Sequence, residues 1–111
     1  MIDWKRVGAL RDELGEREFS PVIELFLDEV EGIVMRLNHA DAPRLESDLH
    51  FLQGSASNLG FTAFGRLCHL GVVAAREGKA EDFDIAGLLD CYAASKKEFV
   101  AGIGAERSGV A

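Results

Sequence analysis

The chain has 111 residues, 48% of them hydrophobic and 28% charged, the composition of one globular domain; wholesale disorder, collagen-like repeats and a two-domain layout are excluded. Lysine and arginine total 12 against 19 aspartates and glutamates, a net charge of −7, opposite in sign to what counterion release from a phosphate backbone requires, so nucleic acid is a poor partner. No apolar run reaches the roughly 18 residues that suggest a membrane span, and the opening MIDWKRVGALRDELG lacks the apolar core of a secretory signal, so a cytoplasmic location is expected.

In chain order, Asp3 is placed to cap a short first helix with Val7, Leu10 and Leu14 on one face and Gly15 as its stop. Ser20 as N-cap and Pro21 at the first helical position, where a missing N–H costs nothing, predict the start of a second helix. Along it Ile23, Phe26, Leu27, Val30, Ile33, Val34 and Leu37 recur at helical spacing. His39 to Pro43 read as a tight turn, because proline disfavours helix in the residue before it. From Arg44 a third helix carries Leu45, Leu49, Leu52, Ala56 and Leu59 inward and closes on Gly60 as a left-handed cap.

Thr62 can cap a fourth helix with Leu67, Leu70 and Ala74 inward and Gly78 as its stop; Asp82 or Asp84 opens a fifth with Ile85, Leu88, Leu89, Tyr92, Phe99 and Ile103 inward. No segment alternates with period two. Short connections make neighbouring helices antiparallel. The expected fold is therefore all-α: an antiparallel up-and-down four-helix bundle with the short N-terminal helix as a lid. Residues 1–103 form its single domain and 104–111 a flexible tail. Cys68 and Cys91, far apart and outside any C-x-x-C pair, read as buried free thiols.

One residue of the third helix falls off this pattern. At 100° per residue the leucine stripe clusters on one side and His50 lies roughly 140° from its centre, facing water. Four residues on, and so beside it, is Gly54. A glycine inside a helix forfeits about 0.5–1 kcal/mol relative to alanine, and at an exposed position no packing recovers it. Ser57 extends the same small, flat face, and Gln53, three residues after His50, offers neutral N–H donors to anything attached to the imidazole. The bland alternatives are a solvated surface histidine, a tolerated glycine (Gly32, Gly71 and Gly87 also interrupt helical patterns) and a solubilising glutamine.

The segment HFLQGSASNLG resembles the H-x-L-K-G-S-x-x-x-L-G signature of the histidine-containing phosphotransfer (HPt) domains of two-component phosphorelays. His50, Leu52, Gly54, Ser55, Leu59 and Gly60 match in identity and spacing, and Cys68 and Leu70 continue the likeness. The resemblance implies a four-helix bundle in which His50 accepts a phosphoryl group from a receiver-domain aspartyl phosphate and passes it to another receiver aspartate. It also implies that Gly54 leaves room for the receiver to dock. Two positions depart from the pattern: Gln53 stands where the family has lysine, replacing a cation by a neutral donor, and Gly71 stands where an acidic residue is common.

Such a chain is a phosphocarrier and not an enzyme in its own right. Phosphoryl transfer is carried by positioning and charge neutralisation, and the receiver supplies the Mg²⁺, lysine and aspartate; no cofactor or metal is expected on this chain. Gln53, Gly54 and Ser57 are the expected supports of phosphate or partner, and Phe51, Val72, Val73 and Arg66 the expected docking rim, with Arg76 a further cation that could meet acidic groups. The expected partners are receiver domains and a hybrid sensor histidine kinase, with the chain itself a monomer. The competing reading is a helical adaptor that binds a receiver or another signalling protein without being phosphorylated.

Overall fold

Five α-helices succeed one another in the computed structural model, which describes residues 1–109, with side chains described through Ile103. They are α1 (Trp4–Leu14), α2 (Glu16–Val34), α3 (Ala42–Leu59), α4 (Thr62–Arg76) and α5 (Ile85–Gly109), with a 3₁₀ turn at Ala80–Asp82 before the last. Asp3 caps α1 as its sequence position predicts, accepting from the N–H groups of Lys5 and Arg6 at 3.1 and 3.2 Å. Val7 and Leu10 are the buried face.

α2 corrects the sequence reading. Ser20 and Pro21 do not open it; both lie inside a helix that begins at Glu16, directly after Gly15. Gly15 has φ +80°, a conformation open to glycine at little cost, and it redirects the chain so that α2 starts at once. The early start carries Phe19 onto the inward stripe of Ile23, Leu27, Val30 and Val34, where its ring is buried under the Arg11 guanidinium, 4.7 Å from the ring centre. Burying a phenylalanine is worth roughly 1.5–3 kcal/mol, enough to offset the hydrogen bond that Pro21 cannot donate to Arg17. α2 stops at Val34, so Leu37 reaches the core from the following turn, only partly buried.

Asp41 caps α3 through a 3.2 Å bond from the Arg44 N–H, with Pro43 in the first turn. At the other end Gly60 is left-handed (φ +80°, ψ 21°), and the Phe61 N–H returns to the Ala56 carbonyl at 2.9 Å. A Cβ on Gly60 would sit 2.8 Å from the Asp3 carbonyl oxygen, so glycine also admits the N-terminal segment. There the Asp3 N–H donates to Gly60 (2.7 Å), the Thr62 N–H donates to Met1 (3.0 Å), and Ile2 pairs with Phe61 in a single antiparallel bridge.

α4 is turned by about 100° from the predicted stripe. Its buried residues are Phe64, Cys68, Gly71 and Val72, whereas Leu70 is 54% exposed. The aromatic side chain decides this: Phe64 lies 5.2 Å from the Tyr92 ring in a cluster continued by Phe61 and Phe99. Burial pushes the Cys68 thiol up to about 12, while Cys91 is only half-buried. Gly71 is a close-packing site, since a Cβ there would meet Leu49 Cδ1 at 2.5 Å and Phe83 Cζ at 2.8 Å.

Of the two candidate openers of α5, Asp84 caps it, accepting from the Gly87 N–H at 2.8 Å, and Asp82 belongs to the 3₁₀ turn. Leu88, Tyr92, Ser95 and Phe99 face inward. The α5 backbone is helical to Gly109, past the expected end at Ile103. The side chains of 104–109 and all of residues 110 and 111 lie outside the described residues, and the expected tail at 104–111 falls mostly on these. Trp4 stacks on Phe99 at 6.2 Å and covers Gly102, where any Cβ would strike the indole, so α1 is fastened to the end of α5.

Candidate functional site

The site is built on the α3–α4 pair, the most extensively packed pair of helices in the molecule. Leu49 and Leu52 are completely buried on α3, which fixes the helix against the core and holds the intervening face outward. His50 lies on that outer face, exposed, with no hydrogen bond or ion pair to it among the described residues. Just before it, Asp48 is buried and gripped by Arg36 through two bonds of 2.9 and 3.3 Å, with Arg44 at 3.9 Å. The nearest carboxylate in sequence is thus neutralised from the other side, and the same contact raises the Arg36 guanidinium's already high pKa. Sequence reading missed this clasp between the turn after α2 and the middle of α3.

Gly54 lies one turn beyond His50. A Cβ there would meet nothing within 4 Å, so the notch is open and the helix backbone is bare. Gly32 is equally open; what separates Gly54 is its place beside His50. Ser57 is exposed, and its hydroxyl donates to the Gln53 carbonyl at 3.2 Å, leaving its oxygen free to accept. Phe51, the next residue on α3, is 42% exposed.

Two expectations for α4 change. Val72 is 2% exposed and belongs to the core, not to a docking rim, because the inward arc centred on Phe64 and Cys68 includes it. Val73 is half-buried and Arg66 exposed, and with His69 they fall on one side of α4, within about 60° of one another. Arg76 bonds Glu46 of α3 at 3.1 Å, a cross-helix tie on a partly exposed surface.

His69 is the residue the sequence did not bring forward. Cys68 next to it points into the core, and His69 points out over the groove between α3 and α4, its Nδ1 3.4 Å from Gln53 Nε2. A carboxamide nitrogen only donates, so in this contact Nδ1 is the acceptor. One end of the Gln53 carboxamide is therefore engaged with α4. The groove, about 490 Å³, is bounded by Gln53, Ser57, Gly65, Arg66 and His69, with Asp3 at its edge. Gln53 and His69 are 16 positions apart in the sequence, with no local signal of their meeting.

Chemically, the arrangement offers a solvent-facing imidazole on a rigid helix, bare backbone one turn away, and cation-capable groups on the neighbouring helix. The model of the Hpt domain family matches residues 21–96, well over half of the chain, running from within α2 to within α5 and including His50. The chain belongs to the Hpt domain family, helical bundles that carry phosphoryl groups on histidine in two-component phosphorelays. No curated protein and no solved structure matches it.

Proposed function

We propose that His50 is the phospho-accepting residue of an up-and-down four-helix phosphocarrier, taking a phosphoryl group from the aspartyl phosphate of one receiver domain and delivering it to the aspartate of another. The carrying observation is the exposed imidazole in the middle of α3, with no bond to it among the described residues and the open notch of Gly54 one turn away. A neutral imidazole presents a lone pair without a dedicated base.

The unprotonated ring nitrogen attacks phosphorus, the N–P bond forms, and the acyl P–O bond breaks with its electrons returning to the aspartate carboxylate. The other ring nitrogen keeps its proton, so the phosphorylated ring is an imidazolium, a good leaving group for the second transfer. Mg²⁺ belongs to the receiver, which supplies the charge neutralisation that dominates phosphoryl transfer. This chain contributes the nucleophile and a docking face formed by Phe51, Gly54, Ser57, Val73 and Arg66. A hybrid sensor kinase stands upstream.

Mixing the protein with a phosphorylated receiver and Mg²⁺ should give acid-labile, base-stable label on the chain, and His50→Gln should abolish it. Label persisting in His50→Gln would remove His50 from this role. Receiver binding without label on the wild-type chain would favour the adaptor reading.

A further inference from the structure

The Gln53 carboxamide has two ends, and only one of them faces His69. With His69 neutral, the amide nitrogen donates to Nδ1 and the carbonyl oxygen is the free end. With His69 protonated, Nδ1–H becomes a donor, the two N–H groups oppose one another, and the carboxamide must rotate by half a turn to offer its oxygen. The free end is then the NH₂ group. His50 lies three residues earlier on the same face, and helical side chains lean toward the N-terminus, so groups at these two positions are neighbours.

We infer that His69 is a positioning residue for phosphorylated His50: its protonation state sets which end of the Gln53 carboxamide meets the phosphoryl oxygens, repelling carbonyl when neutral and donating NH₂ when charged. The inference rests on the phosphotransfer reading and extends it to a residue of α4. The groups facing His69 are Gln53 of α3, with His50 one turn before it, Arg66 on its own helix, and Asp3 across the groove. Asp3 directs its Oδ1 to the N–H groups of Lys5 and Arg6, leaving Gln53 as the hydrogen-bond partner of His69.

The test measures the hydrolysis half-life of the phosphorylated chain, freed of the receiver, from pH 6 to 8 for wild type, His69→Ala and Gln53→Ala. His69 is exposed, so its removal spares the core, and thermal melts verify that each variant folds. The ratio of wild-type to His69→Ala half-life should exceed one at pH 6 and fall below one at pH 8. Its total swing should be roughly two- to tenfold, the effect of one net hydrogen bond. Gln53→Ala combined with His69→Ala should match Gln53→Ala alone at every pH. A ratio that does not vary with pH, with label on His50 intact, overturns the inference and spares the phosphotransfer reading; failure of wild type to take label on His50 overturns both.

Discussion

Gly54 and Gly71 interrupt helices in the same way in the sequence, yet their surroundings are opposite. Added at Gly54 a methyl meets no atom within 4 Å, whereas at Gly71 it meets Leu49 and Phe83 at 2.5 and 2.8 Å. Gly54→Ala should therefore raise stability to denaturant by about 0.5–1 kcal/mol, the helix-propensity gain of an unobstructed alanine. If bare backbone serves docking, the same variant slows phosphoryl transfer from the receiver; an unchanged rate would count against that role. Gly71→Ala should destabilise by about 1–3 kcal/mol, the cost of overpacking a filled core, measured in the same urea titrations. The motif around His50 was legible because the helical period alone puts His50 and Gly54 side by side. Nothing local distinguishes an open notch from a packed one.

At the scale of elements, the serine–proline pair shows how a local signal yields to packing. Ser20 and Pro21 have the composition of a helix start, but α2 begins at Glu16 because that start buries Phe19. Pro21 is left where its missing N–H opposes the Arg17 carbonyl. An interior proline costs about 3 kcal/mol relative to alanine, partly offset by the up to about 1 kcal/mol that its rigidity removes from the unfolded chain. Pro21→Ala is thus expected to stabilise by about 2–3 kcal/mol, seen as a higher denaturation midpoint at unchanged slope; a loss of stability would show that the proline shapes α2 in a way the helix needs. The turn of α4 has the same origin. Leucines at 67 and 70 suggested one inward face, but Phe64, Cys68 and Val72 define another, and a helix has one rotation to choose. That rotation brings His69 over Gln53 and withdraws Val72 from the surface.

For the whole molecule, the polar clasp of Glu31 joins α2 to α5. The Tyr92 hydroxyl donates to the Glu31 carboxylate at 2.7 Å and the Lys96 ammonium at 2.6 Å. The hydrogen bond from Lys96, then that from Tyr92, holds the Glu31 carboxyl below its usual value of 4.5. A carboxylate with a depressed folded-state pKa contributes stability above its unfolded value and loses that contribution as pH falls through the folded one. Both charged side chains are more than a third exposed, so solvent screening limits the effect to about 1 kcal/mol. Glu31→Gln should be less stable than wild type by that amount at pH 7, with the difference shrinking in paired thermal melts as the pH falls below 4.5 and through the lowered folded-state value. A difference that persists undiminished in acid would assign the loss to packing instead of charge.

The sequence by itself determined five helices, the caps at Asp3 and Gly60, and the outward placement of His50, because each depends on spacings of four residues or fewer and on single-residue backbone preferences. Tertiary structure alone decided where α2 begins, how α4 is rotated, which glycine is open, and that Gln53 reaches His69. These depend on which large side chains share one finite core, and residues 16 or more apart compete for that space with no trace in local pattern.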